Sequence, residues 1–357
     1  MDKNAIPTSL LERLRDGMVI PAMPLALDHR RQFDPRRQRA LIRYYIDAGA
    51  GGLAVAVHTT QFEIRDPQFN LLAPVLNLAS EAIDAWCTYR HTAIMKIAGV
   101  CGRTAQALRE AELAREAGYH ACLVSLAAFS DDSVETMVAH CREISRIMPV
   151  IGFYLQPAVG GRVLPYEFWR RFVEIENLLA IKVAPFNRYY TLDVVRAVCD
   201  AGREKEIALY TGNDDHIVMD LLTEYVLETP AGTRRTRMAG GLLGHWAVWT
   251  KRAVELLEEI KRTVREGGAI PPNLLTLGEQ ITECNAAFFD AAHGFAGCIA
   301  GLHYVLQRQG LLEGIWCLDP QQRLSPGQQA EIDRVYQAYP ELNDDDFVQA
   351  HLSEWLE

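Results

Sequence analysis

VIGFYLQPAVGGRVLPYEFWRRFVEIENLLAIKVAP, residues Val150–Pro185, holds one full structural period of the chain. It opens on an apolar run, VIGFYL, and closes on a second, LLAIKVA. Between them PYEFWRRFVEIE spaces its aromatic and aliphatic residues as one face of a helix. Strand, helix and strand in that order make a β-α-β unit, whose two strands run parallel. The second strand carries Lys182 among Ile181, Val183 and Ala184, with no acid in the eight residues Leu178–Pro185. Lysine is almost never fully buried without a partner, so this amine needs a reason.

The period recurs. Runs of strand character start at Met18, Leu53, Ala93, Ala121, Val150, Leu179, Glu206 and Thr236, which is 27 to 40 residues apart. Helical patterns fill the gaps, among them DPRRQRALIRYYIDAG, TAQALREAELAREAG and TLDVVRAVCDAG; these three end in a glycine where a helix C-cap uses one. Eight alternations predict an α/β chain folded as a (β/α)8 TIM barrel. An open doubly wound sheet would show a glycine-rich turn after an early strand, but AGAGG at 48–52 precedes its strand. VREGGAIPPN (264–273) breaks the pattern, and four helical stretches follow. The expected organisation is a barrel with a short N-terminal helix over 1–266 and a C-terminal helical extension over 267–357.

Composition narrows the function. A net charge of −10 and a pI of about 5.5 argue against a nucleic-acid footprint. The basic runs HRRQFDPRRQR and RRTR read as solvated or interface faces. MDKNAIPTSLLERLRDG has acids and a helical period, so it does not read as a signal peptide. The most apolar run, AGAGGLAVAV, falls far short of the ~20 residues of a membrane span. Eight scattered cysteines without a C-x-x-C read as buried thiols of a reducing cytoplasm. No local metal motif and no cofactor motif appears.

In such a barrel, reactive residues sit at the carboxyl ends of the strands. Lys182 and Tyr154 both end strands; 182 − 154 = 28 is one period, which predicts matching heights on neighbouring strands. A dry lysine loses its charge and can attack a ketone to give an imine; a nearby tyrosine can move the protons. Lys96 in AIMKIAG is a rival by position. Thr59 and Thr60 follow strand two. Gly212, Asn213, Asp214 and Asp215 follow strand seven, where the two acids could N-cap the next helix, HIVMDLLTEY. The glycines of AGGLLG, Gly240 among them, precede His245 after strand eight; they could cradle a phosphate or permit close packing.

These residues carry a likeness. Tyr154, Pro157 and Gly161 form a Y-x-x-P…G pattern, followed at Ile181–Lys182 by I-K; His58-Thr59-Thr60 and Gly212-Asn213-Asp214-Asp215 supply two further turns, and GMVIPAMPLALDHRRQFD the opening strand and loop. Over about residues 15–260 the chain resembles the dihydrodipicolinate synthase / N-acetylneuraminate lyase family of class I, Schiff-base aldolases and dehydratases. The resemblance implies an imine between Lys182 and a 2-oxo acid such as pyruvate, Tyr154 as proton shuttle, and Thr59 and Thr60 as carboxylate holders. It also implies a small-molecule aldehyde partner and a homo-oligomer, dimer or tetramer. It ranks Lys182 above Lys96.

The departures shape the expected substrate. Phe129 stands where the synthase has a relay tyrosine, Val159 where it has an arginine for the second substrate (Arg162 is close), and His58 where it has a glycine. Phe129 as an apolar wall predicts an apolar or aromatic electrophile. Phe129, Gly212, Asn213, Gly240 and His245 therefore join Thr59 and Thr60 as candidate substrate-binding residues. The competing readings are a catalytically silent, metabolite-binding barrel with a regulatory role and a metal-assisted aldolase using His58, His245 and Asp214.

Overall fold

The computed structural model describes residues 1–357. Seven short strands come first: β1 (Val19–Pro21), β2 (Gly52–Val55), β3 (Met95–Val100), β4 (Ala121–Val124), β5 (Val150–Leu155), β6 (Leu178–Ala184) and β7 (Ala208–Thr211). A hairpin, β8 (Tyr225–Thr229) and β9 (Gly232–Thr236), precedes β10 (Met238–Leu243). The helices are α1 (Thr8–Asp16), α2 (Pro35–Ala48), α3 (Leu72–Tyr89), α4 (Thr104–Glu116), α5 (Val134–Ile147), α6 (Tyr166–Phe172), α7 (Arg188–Asp200) and α8 (Ile217–Leu222). They continue with α9 (Thr250–Glu266), α10 (Pro272–Phe288), α11 (Cys298–Arg308), α12 (Gln328–Ala338) and α13 (Asp345–Trp355).

Eight parallel strands make one sheet in the order β1-β10-β7-β6-β5-β4-β3-β2. The two end strands also meet: Ala22, just past β1, bridges Ala54 of β2 in parallel, and Met23 N–H donates to Ala54 O at 2.9 Å. This is the nearly closed sheet of a (β/α)8 barrel, as the eightfold alternation predicts. Helix ends follow local chemistry. The Asp34 carboxylate accepts the N–H groups of Arg36 and Arg37 ahead of Pro35 at the first turn of α2, and Gly49 ends that helix at φ +98°. No helix is long and apolar enough to cross a membrane.

The segment after β7 departs from expectation. HIVMDLLTEY is only partly helical: α8 stops at Leu222, and Tyr225–Thr236 folds back as an antiparallel pair from Tyr225↔Thr236 to Thr229↔Gly232. The alternation of YVLET and the Pro230-Ala231 turn, with Gly232 at φ +102°, favour the hairpin over another helical turn. Asp214 and Asp215 do not cap α8; its N-cap position is His216.

The chain divides into two compact units, Met1–Met18 with Met95–Leu242, and Val19–Ile94 with Leu243–Glu357. In the first, β3 to β7 pair in sequence order, β10 joins β7, and α4 to α7 pack on one another in series. In the second, α2 packs on α3, α9 and α13, while α10, α11 and α12 pack together. The basic run of the sequence has a structural task there. Arg37 donates to the carbonyl of Gly310 (2.7 Å), just past α11; Arg43 and Arg36 donate to those of Trp355 (2.7 Å) and Leu356 (2.8 Å) at the end of α13; Arg31 donates to that of Cys317. Helix carboxyl ends leave carbonyls without intrahelical partners, and cations satisfy them best.

Candidate active site

In the first unit all seven residues of β6 are buried, Lys182 included at 7% exposure. Its register partners are Phe153 on β5 and Tyr210 on β7. The amine lies 4.5 Å from the centre of the Phe153 ring. On the other side Gly212 lets the lysine stem pass: a Cβ there would stand 2.7 Å from Lys182 Cε and 2.7 Å from Ala184 Cβ. Burial drives the pKa of Lys182 down to about 8, against the opposing pull of the Asp214 carboxylate. Roughly half of such amines are neutral at pH 8, against about one in three hundred for a solvated lysine. The amine is buried, and its charge is correspondingly weakened.

Tyr154 is not at the height expected from the 28-residue spacing. The β5–β6 ladder starts at Val150↔Leu178 and resumes at Ile151↔Ala180, so Leu179 is an extra residue that shifts the offset by one. Lys182 therefore pairs with Phe153, and Tyr154 with Val183. A one-residue shift exchanges the two faces of a strand. The Tyr154 ring packs between Trp169 of α6 (5.4 Å) and Tyr190 of α7 (6.0 Å), and its hydroxyl accepts the Leu164 N–H at 3.1 Å. Burial raises its pKa to about 12. One lone pair of its oxygen is engaged, and the hydroxyl holds its proton firmly at neutral pH.

The loop after β7 is firmly held. Asn213 accepts the Phe186 N–H (3.0 Å) and donates to Asp220 (2.9 Å), which also accepts the Thr211 hydroxyl (2.6 Å) and pairs with Arg188. Asn213 thus ties the β7 loop to the β6 loop, where Phe186 sits at φ +50°. Asp214, 5% exposed, follows this anchor, two residues beyond the lysine neighbour Gly212. Asp215 has its pKa raised by burial, with Arg188 opposing.

Two other expected site residues of this unit are occupied in packing. The Phe129 ring lies 4.4 Å from His140, with the Arg103 guanidinium 4.7 Å from its centre, while Arg162 binds the Phe129 carbonyl. Those neighbours cover the ring, so it is not the open apolar wall inferred above. Gly240 lies where a Cβ would run into the Met18 backbone, which accounts for a glycine without a phosphate. Lys96 is equally buried, and its backbone exchanges hydrogen bonds with His120.

The second unit holds Thr59, Thr60 and His245. Thr59 donates its hydroxyl to Ala22 O (2.7 Å) and Thr60 to Met23 O (2.6 Å), so both hydroxyls pin a 3-10 turn to the chain past β1. His245 stacks on Phe288 at 5.6 Å with Nδ1 3.3 Å from the Asn285 amide, and burial lowers its pKa to about 4. It lines a cavity of ≈ 240 Å³ with Trp246, Trp249 and Ile281. No three His, Cys, Asp or Glu side chains converge as metal ligands.

Sequence reasoning missed Phe153, whose place depends on register, and the capping role it offered Asp214 falls to His216. The comparisons agree with the barrel. A model of the dihydrodipicolinate synthetase family matches residues 16–223. N-acetylneuraminate lyase 2 of Escherichia coli O6:H1 is 22% identical over 318 residues, 88% of this chain and 90% of that protein. The solved dihydrodipicolinate synthase from Oceanobacillus iheyensis aligns with a TM-score of 0.74 at 15% identity, covering 93% of this chain and 99% of that one. YagE from E. coli K12, solved in complex with pyruvate, aligns with a TM-score of 0.72 at 16% identity over 90% and 98% of the two chains. The structures share the fold, and the family model spans more than half of the sequence: the chain belongs to the dihydrodipicolinate synthetase family.

Proposed function

We propose that the chain is a class I lyase that forms an imine between Lys182 and a 2-oxo acid such as pyruvate, then makes or breaks a bond at the adjacent carbon. Membership of the family supports a Schiff-base lyase at the family level. The observation that carries the reading to a residue is the enclosed Lys182 amine, its pKa brought to about 8 by burial between a phenyl ring and a glycine. The neutral amine adds to the keto carbon while a proton passes from nitrogen to oxygen. The resulting hydroxyl takes one more proton and leaves as water, and the nitrogen lone pair closes the C=N bond. The protonated imine then accepts electrons from the neighbouring carbon.

Phe153 beside the amine supplies the apolar surface earlier sought at Phe129, and it favours an electrophile with an apolar or aromatic end. A homo-oligomer in a cytoplasmic setting belongs to the same reading. The second reading, a metabolite-binding barrel without turnover, draws on the phenyl ring that stands at the register position opposite Lys182.

Borohydride reduction in the presence of pyruvate, followed by intact mass and peptide mapping, tests both. The expected result is a stable adduct on Lys182, lost in Lys182→Ala and largely kept in Lys96→Ala. An adduct mapped to Lys96 overturns the assignment.

A further inference from the structure

β5 and β6 pair so that Phe153 and Lys182 are register partners, and such partners leave a sheet on the same face. The extra residue at Leu179 makes that pairing; a ladder without it would set Tyr154 there. The two side chains meet. Lys182 Nζ lies over the Phe153 ring, 4.5 Å from its centre, and both residues are buried. Gly212 flanks the lysine stem without a side chain of its own. Tyr210, the register partner on β7, donates its hydroxyl to the Leu14 carbonyl at 2.8 Å. Imine chemistry asks two things of this nitrogen: a neutral amine to attack, then a cation once the C=N bond has closed. A carboxylate in an ion pair serves the second state and defeats the first, because it holds the amine protonated. The face of a phenyl ring attracts a cation but cannot take its proton, and the attraction is worth roughly 2- to 30-fold in an equilibrium.

We infer that the Phe153 ring holds the positive charge of the protonated Lys182 imine, as the aromatic face over which that nitrogen lies. The inference rests on the imine proposed above and is separate from the apolar surface that Phe153 offers an electrophile. Loss of water leaves the nitrogen doubly bonded to the former keto carbon and positively charged. The atom that lay over the ring as an amine is the atom that gains the charge, so no new group has to be brought up. Burial works against that charge, and the ring offsets part of the penalty. Because the ring accepts no proton, it leaves the amine able to lose its own before attack. A leucine at this position would keep the site apolar and lose the face that holds the charge.

The test varies the electrons of the ring at constant shape. Nonsense suppression replaces Phe153 with 4-fluorophenylalanine or 3,4,5-trifluorophenylalanine, and Phe153→Leu is made beside them. Each protein and the wild type are titrated with pyruvate, quenched with borohydride and weighed intact, which gives the pyruvate concentration at half conversion to the adduct. Fluorine draws electrons from the ring face, so that concentration is expected to rise stepwise. The rise should reach about 3- to 10-fold for the trifluoro ring, and at least as much in Phe153→Leu. The same fluorinated residues in place of Phe129, which packs against Arg103 and His140, should leave it unchanged. Should Phe153→Leu fail to fold, the fluorinated series, which keeps a ring in place, decides alone. Half-conversion concentrations that stay equal across the series at position 153, or rise as much at position 129, overturn the role of the ring alone. A wild-type protein that traps no pyruvate overturns the imine, and with it this inference.

Discussion

Two regions of the chain hold cations against neighbouring groups, and they treat them in opposite ways. In the second unit Arg31, Arg36, Arg37 and Arg43 each donate to main-chain carbonyls, mostly where α11 and α13 end. Nearby, Arg90 meets Asp47 at 2.7 Å and Glu354 at 2.9 Å, and Asp47 also accepts the indole N–H groups of Trp86 and Trp355 at 2.8 Å each. Those hydrogen bonds outweigh burial: they raise the pKa of Arg90 and lower that of Asp47. In β6, Lys182 has a ring, a glycine and the field of one carboxylate, and burial dominates. Satisfied cations fasten helices; an underserved one has its charge weakened.

The largest test of this contrast is at Trp355, near the end of α13. Trp355 is fully buried, touches Tyr44 and Phe347 at 5.5 Å each, and donates to Asp47. Trp355→Ala should lower unfolding free energy by ~3–5 kcal/mol, the usual cost of deleting a buried indole. Urea denaturation measures it, and a loss under 1 kcal/mol would mean that α13 is peripheral to its unit.

The second test runs the other way. The folded pKa of Lys182, about 8, lies below its ordinary 10.5. As pH falls from 10.5 the unfolded chain protonates first, so stability declines until about pH 8 and stays reduced below it. Lys182→Met removes that charge at similar length. It should therefore raise stability by ~2–3 kcal/mol at pH 7, by less at pH 9.5, and abolish trapping. A destabilised Lys182→Met protein would show instead that the amine is well satisfied where it lies.

The smallest effect is expected at Tyr154, whose hydroxyl serves the Leu164 N–H. Tyr154→Phe leaves that donor without its partner and should cost ~1–2 kcal/mol in stability. Thermal unfolding, measured beside exchange of pyruvate methyl protons in D₂O by proton NMR, separates this loss from any catalytic one. A large fall in exchange with unchanged stability would restore the tyrosine to the chemistry.

Much of this architecture is written locally. The repeat of strand and helix, the glycine after α2, the helices that close the chain and the lysine within an apolar strand all follow from short-range pattern. Residue spacing alone sets those features, through the two-residue and 3.6-residue periods of strand and helix. The partners of Lys182 follow from something the sequence does not display. One extra residue at Leu179 moves the ladder by a position, turning Tyr154 away and placing Phe153 beside the amine. Hydrogen bonding between two backbones decides such a register, and it involves residues about thirty apart. The same holds for the arginines of the second unit, whose carbonyl partners lie 273 to 320 residues further along. Gly212 reads locally as a turn residue; only tertiary packing sets it against the lysine stem. The sequence by itself determined the barrel and the amine. Tertiary structure decided what surrounds that amine, because facing and burial arise only when distant strands take their register.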